Sequence, residues 1–111
     1  MKRLASLLLL LLLLPQGISA AQVFGNLKVN DKSVGGGVEL RITCGDISHK
    51  ATTDSYGSYN LFLPASGRCW VKVLYQGQES QPFRIFSSSD PTRYDFDLLR
   101  VGDGSFVLKR R

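Results

Sequence analysis

Apolar and polar residues alternate with a period of two along most of this chain, the spacing of strands rather than helices. The alternation is plainest in Val38-Glu39-Leu40-Arg41-Ile42-Thr43-Cys44, where Val38, Leu40, Ile42 and Cys44 share one side and Glu39, Arg41 and Thr43 the other. Such a segment predicts a strand with one buried face and one wet face. Residues 69–75 repeat the pattern, with Cys69, Val71, Val73 and Tyr75 on one side and Trp70, Lys72 and Leu74 on the other. After residue 21, no segment keeps helical periodicity for three turns.

Shorter alternations fill the remainder. Gln22 to Val29 is an opening strand, and Lys50 to Thr53 a short polar one expected at a sheet edge. Tyr59, Leu61 and Leu63 alternate with Asn60 and Phe62; Phe83 and Ile85 flank Arg84; Tyr94, Phe96 and Leu98 alternate with Arg93, Asp95 and Asp97. Pro82 suggests an edge strand or a strand start. Phe106 to Leu108 adds a last short segment. Turn chemistry separates them: Asn30-Asp31, Gly35-Gly36-Gly37, Gly45-Asp46, Asp54 to Gly57, Ser66-Gly67, Gln76-Gly77, Asp90-Pro91 and Gly102-Asp103-Gly104. Seven or eight short strands at this spacing predict a single small all-β sandwich.

The first 21 residues follow another pattern. Lys2 and Arg3 precede an apolar run from Leu4 to Leu14 that includes eight consecutive leucines; Pro15-Gln16-Gly17 breaks it, and Ser19-Ala20-Ala21 offers a cleavage site. That order reads as a secretory signal peptide, residues 1–21, cleaved after Ala21 or one residue earlier. The apolar run is shorter than the ~20 residues that span a bilayer. The expected protein is therefore exported, periplasmic or secreted, and not an integral membrane protein.

Cleavage leaves 90 residues, enough for one domain. The formal charge of the whole chain is +5, yet residues 22–108 carry nine basic and nine acidic side chains. The excess sits in Lys2, Arg3 and the end Lys109-Arg110-Arg111, read as a solubilising basic tail, residues 109–111. A nucleic-acid binder would be expected to show a basic face across its fold, and in the sequence the excess appears only in the tail, so no nucleic-acid partner is expected.

Two cysteines in an exported chain read as a disulfide. Following the strand directions, Cys44 ends one strand and Cys69 begins another at the same end of the sandwich, each on the apolar side of its strand. The rival is a metal held by Cys44, His49 and Cys69, but a fourth ligand is missing and the spacing matches no zinc module. No metal and no cofactor are expected.

The stretch from Lys32 to Tyr75 resembles the carboxypeptidase regulatory-like domains, which share a transthyretin-like (prealbumin-like) β-sandwich. The matching residues are Val34-Gly35-Gly36-Gly37-Val38-Glu39-Leu40, then Thr53-Asp54-Ser55-Tyr56-Gly57-Ser58-Tyr59-Asn60-Leu61-Phe62-Leu63-Pro64, then Gly67 and the strand Cys69 to Val73. Within this motif Asp54 can hold the turn through its side chain, Gly57 can supply a positive φ, and Pro64 ends the strand. The resemblance covers about half of the mature chain and implies a seven-stranded sandwich, residues 22–108, that accompanies, tethers or binds rather than catalyses. This copy is expected to depart from the family in standing without an enzyme domain beside it, and it departs in carrying the cysteine pair. The hydroxyisourate hydrolases of the same fold use several histidines and a tyrosine-arginine-glycine-serine ending. Here there is one histidine, and the chain ends Lys109-Arg110-Arg111.

No catalytic constellation emerges. Ser48, His49, Asp46 and Asp54 crowd one short segment, whereas a triad needs groups converging from separate segments; His49 is read as a solvated turn residue. Asp95 and Asp97 project from one strand face about 7 Å apart, but with Arg93 beside them they read as a wet face rather than an acid–base pair.

Trp70 is the candidate for partner binding, with Lys72 and Leu74 on its side of the strand. If residues 59–63 pair with 69–73, Phe62 falls opposite Trp70 and a Phe62-Trp70-Leu74 patch results, suited to a protein hot spot. If residues 59–63 belong to the other sheet, as transthyretin-like topology implies, Phe62 and Trp70 are separated. The expected function is non-catalytic: binding of another envelope or extracellular protein through an exposed strand edge or the Trp70 face, or self-association through such edges. The alternative is a carbohydrate-binding accessory module that stacks a glycan on Trp70 or Tyr56.

Overall fold

The computed structural model describes residues 21–63 and 67–111. The expected signal peptide, apart from Ala21, and the strand-ending Pro64 lie outside the described residues. Those residues contain no helix and form eleven strands in two sheets. They are β1 (Ala21–Val29), β2 (Lys32–Ser33), β3 (Glu39–Cys44), β4 (Ile47–Thr52), β5 (Ser58–Leu63), β6 (Gly67–Tyr75), β7 (Gln78–Glu79), β8 (Phe83–Ser87), β9 (Thr92–Arg93), β10 (Phe96–Arg100) and β11 (Phe106–Arg110). Three of the eleven (β2, β7 and β9) are two-residue ladders, too short to leave an alternating pattern in the sequence.

β1 organises the first sheet. Its first six residues pair antiparallel with β5, Ala21 opposite Leu63 and Asn26 opposite Ser58. On its other side it runs parallel to β9 and then to β10, which pairs antiparallel with β11. A two-residue turn, Asn30-Asp31, returns the chain into β2; both residues have positive φ, 52° and 64°, as a type I′ hairpin requires. The second sheet has the order β4-β3-β6, with β7 and β8 pairing successive parts of β6. Among the described residues β4 pairs only with β3 and forms an edge.

The core lies between the sheets and is built from the predicted inward rows. Leu27, Leu40, Ile42, Leu63, Val73, Ile85 and Phe96 are fully buried. Phe83 meets Phe96 edge-on at 5.0 Å between ring centroids, and Tyr94 stacks on Phe96 at 6.0 Å. Such aromatic pairs add to what burial alone contributes.

Polar clamps fix the loops. The buried Thr53 hydroxyl donates to the Gly35 carbonyl at 2.7 Å and accepts from the Val38 N–H at 3.0 Å, pinning the glycine run to the start of β3. One Asp54 carboxylate oxygen accepts from the N–H groups of Tyr56 and Ser58 at 2.9 and 3.0 Å. Gly57 has φ 78°, and a Cβ there would lie 2.5 Å from the Ser33 hydroxyl and 3.0 Å from the Leu27 carbonyl oxygen. The Asp54–Gly57 turn is thus packed directly onto the β1–β2 hairpin.

The basic end is not a free tail. Lys109 and Arg110 complete β11, opposite Asp97 and Phe96. The Arg110 guanidinium lies 4.0 Å from the centre of the Tyr94 ring and donates to the Arg93 carbonyl at 2.9 Å. Arg111 donates its backbone N–H to the Asp95 carbonyl and pairs through its side chain with Asp97 at 3.0 Å. Counting charges made these residues look solubilising; the register of β10 with β11 makes them structural.

Candidate binding face

The outer surface of the β4-β3-β6-β8 sheet brings aromatic, cationic, carboxylate and hydroxyl side chains together. Strand parity puts Arg68, Trp70, Lys72 and Leu74 of β6 on this side, away from the buried Cys69, Val71 and Val73. Register then sets their neighbours. Trp70 lies between Thr43 of β3 and Arg84 of β8, and Lys72 lies beside Arg41, which in turn adjoins Lys50 of β4. Trp70 remains 42% exposed, although its strand is flanked on both sides. The Arg84 guanidinium sits 5.4 Å from the centre of the indole ring, within cation–π range.

Beside Trp70 is a shallow depression of about 170 Å³, lined by Arg41, Thr43, Ser48, Lys50, Lys72 and Glu79 among others. Its charges are coupled. Arg41 pairs with Glu39 at 2.6 Å and with Glu79 at 3.3 Å, Lys72 with Glu79 at 3.4 Å, and Lys50 with Glu39 at 3.9 Å. The hydrogen bond from Arg41 holds the Glu39 carboxyl below its ordinary range, and the same bond raises Arg41. Exposed pairs of this kind contribute little to stability. Their effect here is to hold cationic side chains extended over the sheet.

The other sequence candidates lie elsewhere. Phe62 belongs to β5, which pairs with β1 in the first sheet, so it does not join Trp70 and Leu74. It is 59% exposed, opposite Gln22. Tyr56 projects from the Asp54–Gly57 turn. Cys44 and Cys69 form a disulfide with Cα atoms 4.4 Å apart. Thr43 pairs with Trp70, so the cysteines stand directly opposite each other on neighbouring strands, and the bridge staples β3 to β6 within one sheet. Among the described residues, no group of His, Cys, Asp and Glu is placed to hold a metal.

His49 is not in a turn. Gly45-Asp46 makes the reversal so tightly, with Gly45 at φ 62°, that β4 is already under way two residues before His49. Its Nε2 is buried without a hydrogen-bond partner among the described residues. Asp95 accepts from the Asn26 N–H at 2.9 Å and from Arg93 at 2.8 Å, while Asp97 pairs with Arg111. Burial alone would raise the Asp95 carboxyl, but these hydrogen bonds and the charges of Arg93 and Arg111 hold it below the usual range. Both carboxylates are occupied by structural partners.

Arg84, Arg41 and Glu79 escape a reading of the sequence because their place depends on which strands neighbour β6. The alternation in residues 83–85 already sets Arg84 outward; only the register of β8 puts it on Trp70.

No family model and no curated protein matches this chain. Among solved structures it is similar to a protein from Eubacterium rectale determined by NMR, with TM-score 0.57 and 14% identity, covering 86% of this chain and 91% of that one. At that identity the likeness shows a shared fold. Among the described residues, no helix is long and apolar enough to cross a membrane.

Proposed function

We propose that this chain is an exported, non-catalytic binding module of the carboxypeptidase regulatory-like, transthyretin-like kind, which engages its partner through the outer face of the β4-β3-β6-β8 sheet. The observation that carries the reading is Trp70, exposed in mid-sheet with a guanidinium on its ring and hydrogen-bonding side chains around it. A large aromatic in that setting costs hydration that a partner would recover, and aromatic and arginine side chains dominate binding hot spots. The disulfide supports an oxidising compartment. The Asp95 and Asp97 carboxylates are occupied by structural partners and the Nε2 of the half-buried His49 is shielded, which supports a role without chemistry.

A second reading, strand addition at a sheet edge, is favoured by Phe86, which projects 55% exposed from β8, a strand that among the described residues pairs only with β6. Photo-cross-linking separates the two. A photoreactive residue is placed at Lys72 on the Trp70 face, at Asn60 on the opposite face, or at Gln81 just before β8, in cells producing the full chain. Adducts from position 72 alone support the face reading. Adducts from position 81 alone replace it with edge addition, and adducts from position 60 alone overturn both.

A further inference from the structure

We infer that the Trp70 face binds an acidic polysaccharide, with uronate rings as the recognised unit; this rests on the face being the binding surface. Five cations project there (Arg41, Lys50, Arg68, Lys72 and Arg84) against two carboxylates, Glu39 and Glu79. Both carboxylates are engaged by Arg41, Lys50 and Lys72. Among the described residues, neither Arg68 nor Arg84 has a carboxylate within ion-pairing distance. The face therefore has cationic capacity left over, and the guanidinium of Arg84 is held beside the exposed indole of Trp70.

That pairing selects a ligand with two unlike parts. A uronate ring has an apolar C–H face that can lie on the indole and a carboxylate that a guanidinium can grip with two parallel hydrogen bonds. A neutral sugar would use the indole and leave the excess positive charge unanswered. An acidic peptide would answer the charge and leave the indole uncovered. The hydroxyls of Thr43 and Ser48, 3.4 Å apart beside Trp70, supply donors and acceptors suited to ring hydroxyls. The depression, about 170 Å³, is below the ~300–1,000 Å³ of sites that enclose a whole small molecule, as befits one ring of a longer chain. A second row, Lys50-Arg41-Lys72, crosses the same strands one pleat away and would meet the next acidic group.

The test is titration of the full-length chain with polygalacturonate, followed by Trp70 fluorescence and calorimetry, with dextran and polyglutamate as comparators. Polygalacturonate is expected to change the Trp70 emission and to bind more weakly as salt rises. Arg84→Gln is expected to weaken it about tenfold, the loss of one charge-assisted pair. Trp70→Leu is expected to weaken it comparably while leaving the thermal midpoint in place, since the residue is exposed. Equal binding of dextran would overturn the acidic specificity while leaving a Trp70 face intact. Equal binding of polyglutamate would replace the glycan with an acidic peptide. If no probe binds, the polysaccharide proposal falls, and the cross-linking pattern from Lys72 still decides the face by itself.

Discussion

Gly25 lies directly beneath the carbonyl of Tyr94: a Cβ at position 25 would sit 1.9 Å from that oxygen. Gly25 belongs to the inward row of β1 with Ala21, Val23 and Leu27, the row that a larger side chain would normally fill. Instead the chain between β9 and β10 crosses over it. Tyr59, opposite Gly25 in the register, donates its hydroxyl to the same carbonyl at 2.7 Å. The Tyr94 N–H donates to the Phe24 carbonyl, and the Tyr94 hydroxyl bonds the backbone of Phe86 in the other sheet. One residue thereby joins both sheets, and glycine is the residue that admits it.

Gly25→Ala is accordingly expected to be severely destabilising. The methyl meets backbone rather than a movable side chain, so the cost exceeds the ~1–3 kcal/mol of ordinary overpacking. Urea denaturation followed by far-UV circular dichroism measures it, with Gly102→Ala as the comparator, because open space surrounds that glycine. Equal effects of the two substitutions would contradict the crossing.

Thr53 predicts a chemical rather than a steric loss. Thr53→Val keeps the shape and removes the hydroxyl, leaving the Gly35 carbonyl and the Val38 N–H without their partner. A loss of ~1–3 kcal/mol is expected, with Thr53→Ser retaining most of the stability. Amide hydrogen exchange would show the effect concentrated at Gly37 and Val38. Unchanged exchange in the valine variant would mean that the glycine run is held by something else.

Reducing the disulfide, or replacing both Cys44 and Cys69 by serine, is expected to cost roughly 3 kcal/mol in the chain-entropy model, since the bridge closes a loop of 25 residues. The pairing itself is checked by mass: thiol alkylation without reductant should add nothing. Two added groups would show free thiols.

The two strongest alternations, in β3 and β6, were readable because each strand has one core face and one wet face, so parity alone orients Trp70, Lys72 and Arg41. The Asp54–Gly57 turn was readable for a related reason: the hydrogen bonds of Asp54 are local, reaching no further than Ser58. Sheet membership was not. β5 pairs with a strand more than thirty residues earlier, and nothing in Tyr59 to Leu63 distinguishes that partner from β6. The same blindness hid the neighbours of Trp70 on the candidate face, where Arg84 and Arg41 come from other strands and join it only through register. Gly25 was a missed signal: a glycine within an alternating strand marks a close backbone approach.

Tyr59 predicts an alkaline limit. Burial first, and then the nearby Asp95 and Tyr94, raise its pKa above the ordinary tyrosine value. The fold therefore favours the neutral hydroxyl. That contribution is fully present below the unfolded value of about 10 and is lost as pH rises from there through the higher folded value. Thermal midpoints should fall above pH ~10, and Tyr59→Phe, though weaker near neutrality for want of its bond to Tyr94, should fall less steeply. Parallel curves for the two proteins would count against Tyr59 as the group responsible.

Asp95 governs the acid side with the opposite sign. Its folded pKa is depressed, because the hydrogen bonds from Arg93 and Asn26 and the charges of Arg93 and Arg111 outweigh the effect of burial. The stability it contributes is present above the unfolded carboxyl value of about 3.9 and is lost as pH falls through the folded one. Asp95→Asn keeps an oxygen for the Asn26 N–H and removes the charge that Arg93 and Arg111 face. The variant should be less stable than the natural protein at pH 7 and should approach it as the pH drops, so that the gap between their denaturation midpoints closes in acid. Ionic strength supplies an internal check: added salt should narrow the gap at pH 7 by screening the arginines, while leaving the Asn26 bond in place. A gap that persists unchanged through acid and salt would mean that the Asp95 side chain acts here only by shape.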